Sequence, residues 1–186
     1  MRAFALALLD AVQHEGLPRP VVFGYSMGGY AALLLEAIAP GTFGGIVTLG
    51  TMLDWNAEVA SRAAARLDLA VMQAKVPAFV QALDTRHAAV GGAAAVVPRT
   101  ADLLRALGNA PPLTDALAAS IQCPVHLLVG DRDDSVSLEE TTTFASRLPR
   151  AQAVLLPDTP HPIERVSVEL LVQAVADLAT ATRREP

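Results

Sequence analysis

The chain has 186 residues, a net charge of −5 and one cysteine. That length suits a domain whose core needs no staple, and a lone cysteine excludes an internal disulfide and fits a reducing, cytoplasmic setting. With only 14 Lys and Arg and no basic cluster, a nucleic-acid partner is not expected.

Apolar residues make up 52% of the chain but aromatics only 4%, so much of the hydrophobicity is alanine's, and no run reaches the ~18 residues of a membrane span. Met1-Arg2 followed by Ala3 to Leu9 has the outline of a short signal peptide. Asp10 ends that run, no small-residue cleavage pattern follows, and Phe4, Leu8, Ala11 and Val12 recur at helical spacing. A first helix is therefore predicted, stopped by Gly16, Pro18 and Pro20. Val21-Val22-Phe23 is fully apolar between turn residues and reads as a buried parallel strand. Tyr30 through Ile38 reads as a helix closed by Pro40-Gly41, and Gly45 through Gly50 as a second strand.

From about Asp54 to Ser120 the pattern is alanine-rich and helical, with breaks expected at Pro77, Gly91-Gly92, Pro98 and Pro111-Pro112. Val125 through Gly130 resumes the strand pattern. Ser137-Leu138-Glu139-Glu140 has the form of a capping box, in which Ser137 bonds forward and Glu140 reaches back. A last strand, Ala153 to Leu156, precedes a loop holding His161, and a final helix is expected from about Pro162 to Thr180. Four short strands alternating with helices imply a parallel sheet covered by helices. The expected organisation is a core of residues 1–53 and 121–186, interrupted by a helical insertion over 54–120.

Gly24-Tyr25-Ser26-Met27-Gly28 matches Gly-x-Ser-x-Gly directly after a strand and directly before a helix. A serine on so sharp a turn sits in a strained backbone conformation with its hydroxyl pushed above the sheet. Small residues are needed on either side, a demand Gly24 and Gly28 meet, with further clearance from Gly29. The pattern also arises by chance as a glycine-rich turn, so the context carries the assignment. Serine needs a base to take its proton, and the base needs an orienting acid. Of four histidines, His14 lies near the end of the first helix, His87 in the insertion and His126 within a strand. Only His161 follows the last strand in a loop, where the chain order Ser, acid, His puts the base. The acid falls in Gly130-Asp131-Arg132-Asp133-Asp134-Ser135-Val136, where composition alone leaves Asp131, Asp133 and Asp134 open. Arg132 is expected to offset part of their mutual repulsion.

Together Gly24-Tyr25-Ser26-Met27-Gly28-Gly29, Gly130-x-x-Asp133-x-x-Val136 and His161-Pro162 resemble the α/β-hydrolase superfamily, in particular its compact cap-bearing esterase and peptidase-like members. Thr48-Leu49-Gly50-Thr51 and Trp55 fit a subgroup of that superfamily. The resemblance implies a Ser26, Asp133, His161 triad, an oxyanion donor in the Met27 backbone N–H, and a helical cap formed by the insertion. Tyr25, Met52, Trp55 and Ile163 are candidates for the pocket wall, and Leu53, Met72 and Phe79 add to its apolar character. Neither a metal nor a cofactor is expected, since the histidines show no i, i+4 pairing and the cysteine has no partner.

The superfamily has about four strands before the nucleophile strand, and a His-Gly loop among them supplies the second oxyanion donor. Here only one helix precedes Val21, so the resemblance covers the C-terminal part of the fold. The outer side of the nucleophile strand is then an apolar edge that invites a second copy or a partner chain. The leading expectation is a serine hydrolase of small apolar carboxylic esters. A catalytically impaired binding or regulatory protein, and an acyltransferase on the same scaffold, are the alternatives.

Overall fold

In the computed structural model, which describes residues 1–183, each apolar run bounded by turn residues forms a strand of one parallel sheet. The first half runs α1 (Arg2–His14), β1 (Val21–Tyr25), α2 (Met27–Ile38) and β2 (Gly45–Leu49). Four helices follow: α3 (Ala57–Ala65), α4 (Leu69–Lys75), α5 (Pro77–Arg86) and α6 (Gly92–Asn109). The chain then forms α7 (Asp115–Ala119), β3 (Val125–Arg132), α8 (Leu138–Ala145), β4 (Ala151–Pro160) and α9 (Val168–Arg183). Strand order is β1-β2-β3-β4, so β1 and β4 are edges, and among the described residues β1 pairs only with β2.

The pleat divides the strand residues between two helical layers. Val21, Phe23, Tyr25, Val47 and Leu49 gather with Leu128, Val154 and Leu156 around Leu171, Ala174, Val175 and Leu178 of α9. On the other face α2, buried along nearly its whole length, packs on β1 and β2. Gly29 is why it packs so closely: a Cβ there would lie 2.9 Å from Thr48 Cβ. Glu36, a buried carboxylate that sequence patterning does not single out, accepts the Gly41 and Phe43 N–H groups at 2.8 and 2.9 Å and so closes the turn after α2.

The chain separates into two compact units, Met1–Asp54 with Pro112–Pro186, and Trp55–Pro111. The second unit is α3 to α6, whose own core holds Met72, Val80, Ala93 and Val97. Met72 thus packs inside the unit, while Phe79 stays about half exposed. Residues 112–120, expected within the insertion, lie in the first unit: α7 packs on α2, and the Leu113 N–H donates to Tyr30 Oη at 3.1 Å. The break expected at Pro98 is absent, because α6 continues through it. Ala93, Val97, Ala101 and Leu107 form a buried stripe on that helix, and its burial offsets the ~3 kcal/mol an internal proline costs. Pro77 opens α5, where its missing N–H costs nothing.

Other boundaries also differ from the sequence reading. Helix α2 begins at Met27 because the tight turn at Ser26 runs directly into helix. The last helix begins at Val168, after a short 3-10 turn over Ile163–Arg165. Strands β3 and β4 both extend past their apolar runs, through a bulge between Gly130 and Arg132, to pair Arg132 with Pro160. Among the described residues no helix is long and apolar enough to cross a membrane.

Candidate active site

Every strand contributes to one cluster at the carboxyl end of the sheet, the usual location of sites in open α/β sheets. Ser26 follows β1 directly and caps α2 with φ 51° and ψ −118°, a conformation that L-residues avoid. Its backbone is held on both sides: the Ser26 N–H donates to Leu49 O at 2.8 Å, and Thr51 Oγ1 donates to Ser26 O at 2.9 Å. The small-residue demand falls on Gly24 and Gly29 rather than Gly28. A Cβ on Gly24 would come within 2.6 Å of the Gly29 backbone, whereas one on Gly28 meets nothing within 4 Å. Met27 is the first residue of α2, where helix geometry leaves its N–H without an intrahelical acceptor.

The ends of β3 and β4 bring Asp133 and His161 together. With Arg132 paired to Pro160, the next residue on each strand leaves the sheet at the same level. His161 Nδ1 lies 2.9 Å from Asp133 Oδ2, and the Asp133 side chain is only 2% exposed. A carboxylate can only accept, so Nδ1 carries the proton of this bond, and in the neutral imidazole Nε2 keeps its lone pair. The other carboxylate oxygen, Oδ1, accepts the Ser135 and Val136 N–H groups at 2.8 and 3.0 Å. Burial pushes the Asp133 pKa up, but the His161 hydrogen bond, the two N–H donors and the imidazole charge outweigh it, so the group lies below its ordinary value.

The neighbouring carboxylates are differently engaged. Asp131 Oδ1 accepts the Thr159 N–H at 3.1 Å, bracing the strand that leads to His161. Asp134 is exposed and accepts from Ser135 Oγ at 3.0 Å. Arg132 forms its ion pair with Asp158 across the two strand ends, not with the aspartates beside it in sequence.

Gly50 is a site residue that sequence patterning missed. It has φ +57°, and a Cβ there would lie 3.0 Å from Asp133 Oδ2 and 3.1 Å from His161 Nδ1. The acid and imidazole rest directly on its bare backbone. A glycine immediately after an apolar strand was the available signal.

The pocket candidates come from separate segments of the chain. Tyr25 touches His161: its hydroxyl donates to the His161 carbonyl at 3.0 Å. Met52 lines a void of only about 10 Å³ with Thr51, Leu53, Asp54 and Val136, too small for a substrate. Ile163 opens the 3-10 turn after His161, and Trp55 is the first residue of the second unit. Of the other histidines, His14 ends α1, His87 caps α5, and His126 Nε2 pairs with Gln152 Nε2, its pKa lowered by burial. A cavity of about 670 Å³ opens at the opposite, amino end of the strands, beside Glu36 and Cys123. Burial pushes the Cys123 thiol up to about 12, which keeps it protonated and inert. Among the described residues no His, Cys, Asp and Glu cluster could hold a metal ion.

A parallel sheet flanked by helices, with a strained serine between strand and helix, defines an α/β-hydrolase. The chain belongs to the serine aminopeptidase, S33 family, whose model matches residues 4–164. Similar solved structures include a thermophilic esterase from Thermogutta terrifontis, at TM-score 0.69 and 23% identity, covering 96% of this chain and 71% of that one. A carboxylesterase structure from Nitrososphaera gargenis gives TM-score 0.68 and 18% identity over 97% of this chain and 73% of that one. 2-Hydroxy-6-oxo-6-phenylhexa-2,4-dienoate hydrolase from Rhodococcus sp. strain RHA1 gives TM-score 0.63 and 16% identity, over 91% of this chain and 66% of that one. At these identities the likeness is one of fold. No curated protein matches the chain.

Proposed function

We propose that this hydrolase cleaves small carboxylic esters through an acyl-enzyme on Ser26, with His161 as base, Asp133 as orienting acid and the Met27 N–H as an oxyanion donor. The observation that carries the reading is the 2.9 Å bond between His161 Nδ1 and the buried Asp133 carboxylate, at the same end of the sheet as the strained Ser26.

In that mechanism Ser26 Oγ attacks the ester carbonyl while His161 Nε2 takes its proton. Asp133 holds the tautomer and stabilises the imidazolium. Collapse of the tetrahedral intermediate expels the alcohol, which takes the proton back from His161. Water, deprotonated by the same nitrogen, then releases the acid and restores Ser26. The N–H of Met27 sits at the positive end of α2 and faces developing negative charge there. Esters are preferred to amides because esterases share the fold and the easier alkoxide leaving group asks least of the oxyanion site.

The test is release of p-nitrophenol from p-nitrophenyl acetate and butyrate, run beside an aminoacyl p-nitroanilide. Ester turnover that disappears in Ser26→Ala supports the reading. Nitroanilide turnover without ester turnover would move the substrate class to peptides. No turnover and no phosphonate labelling of Ser26 in a folded chain would sink it.

A further inference from the structure

We propose that Tyr25 is a positioning residue for His161, its phenolic hydroxyl fixing the backbone of the base from the end of the nucleophile strand. The inference rests on the assignment of Ser26 and His161 above. Tyr25 ends β1 and His161 follows β4, and two other strands separate these edges. The segment after β4 therefore carries His161 back over the carboxyl end of β2, beside Gly50, and there Tyr25 Oη donates to His161 O at 3.0 Å, across 136 residues of sequence. It ties the base to the residue that adjoins Ser26.

Two constraints act on His161, and they are complementary. Asp133 grips the ring at Nδ1 and sets its rotation and tautomer. Tyr25 grips the main chain and sets where the ring stands. Without the second, the segment after Pro160 could shift the ring relative to Asp133, which its two backbone N–H donors hold in place, loosening the Nδ1 contact and moving Nε2 away from Ser26. The Tyr25 ring is itself anchored: it packs against the core that includes Leu49, Leu128 and Leu178. It also faces the imidazole, with centroids 5.4 Å apart and planes tilted by 45°. Burial and then the negative charge of Glu164 raise the phenol's pKa, so it remains a donor across the working pH range.

The Gly-x-Ser-x-Gly pattern leaves Tyr25 unspecified, and as a pocket wall it would be judged by substrate fit. The geometry gives it a different task, whose loss lowers kcat and leaves KM alone.

Tyr25→Phe keeps the ring and removes only the hydroxyl. The readouts are the His161 Nδ1–H proton resonance, assigned by its loss in His161→Gln, the rate of Ser26 labelling by a fluorophosphonate, and kcat and KM for p-nitrophenyl butyrate. The expected result is faster solvent exchange of Nδ1–H, with labelling and kcat both down roughly three- to thirtyfold and KM unchanged. An unchanged Nδ1–H signal and labelling rate would overturn the proposal. Tyr25→Leu separates hydroxyl from ring: similar slowing in both variants supports the hydroxyl, and slowing confined to leucine overturns it. If wild-type Ser26 neither labels nor turns over ester, the hydrolase mechanism fails while the Nδ1–H comparison still decides the role of Tyr25.

Discussion

Asp133 and His161, 28 residues apart in sequence, meet because a bulge between Gly130 and Arg132 puts β3 and β4 into a register that pairs Arg132 with Pro160. The residue after each partner then leaves the sheet at one height, and the carboxylate reaches Nδ1 at 2.9 Å. Asp133→Asn tests what this contact does. Oδ1 would keep its two backbone donors, so the loop should hold, but an amide can present an N–H to the imidazole and select the wrong tautomer. We expect kcat for p-nitrophenyl butyrate to fall by about 10²–10⁴ with the melting temperature little changed. A rate within twofold of wild type would remove Asp133 from the mechanism.

The same carboxylate links folding to pH. Its folded-state pKa lies below the unfolded value because the bonds from His161 and the two N–H groups outweigh burial. The resulting stability is fully present above the unfolded value and is lost as pH falls through it towards the lower folded one. Urea midpoints of wild type and Asp133→Asn should therefore differ most near about pH 6 and draw together as pH falls below about 4, the ordinary aspartate value. A difference that is constant across that range would show that Asp133 gains nothing from its partners.

Part of this architecture was legible in the sequence, for identifiable reasons. Val21-Val22-Phe23 and Val125 through Gly130 are strands because short apolar runs between turn residues have few other places to go. The capping box is present as read, with Glu140 N donating to Ser137 Oγ at 3.1 Å and Ser137 N to Glu140 Oε2 at 3.0 Å. Chain order also singled out the loops that carry Asp133 and His161. Tertiary register was not legible. Nothing local tells Arg132 to pair with Asp158 rather than screen Asp131, or tells β4 to continue through Pro157 to Pro160. The steric demand on Gly29 and Gly50 comes from Thr48, Thr51, Asp133 and His161, which lie elsewhere in the chain.

Those glycines give a graded series. Gly50→Ala forces a side chain into left-handed backbone, at a cost of about 1–2 kcal/mol, and wedges Cβ between Asp133 and His161. Activity should fall much further than stability, because the pair is pushed apart. Gly24→Ala should prevent folding, since its Cβ would overlap the Gly29 backbone. Gly28→Ala should raise stability by roughly 0.4–1 kcal/mol, as a helical position with open space around it. Thermal melts of the three variants check the order. A stabilised Gly24→Ala or an active Gly50→Ala would contradict the packing described.

Arg147 holds the two points where the chain leaves and re-enters the first unit. Its guanidinium bonds Asp54 at 2.5 and 3.2 Å, the last residue before the second unit, and Asp115 at 3.2 Å, just after the return. The fork geometry suits a bidentate carboxylate, and Phe144 supports the group from 5.4 Å. Because Arg147 and Asp54 are both about one-third exposed, the pair is partly screened, and Arg147→Met should cost only about 1 kcal/mol globally. The local effect should be larger. Amide exchange should quicken around Asp54 and Asp115 while β2 and β3 keep their protection. Lysine at 147 keeps the charge but not the fork, so Arg147→Lys should restore global stability more fully than local protection. Uniform loss of protection throughout the first unit would instead make Arg147 an ordinary contributor to its fold.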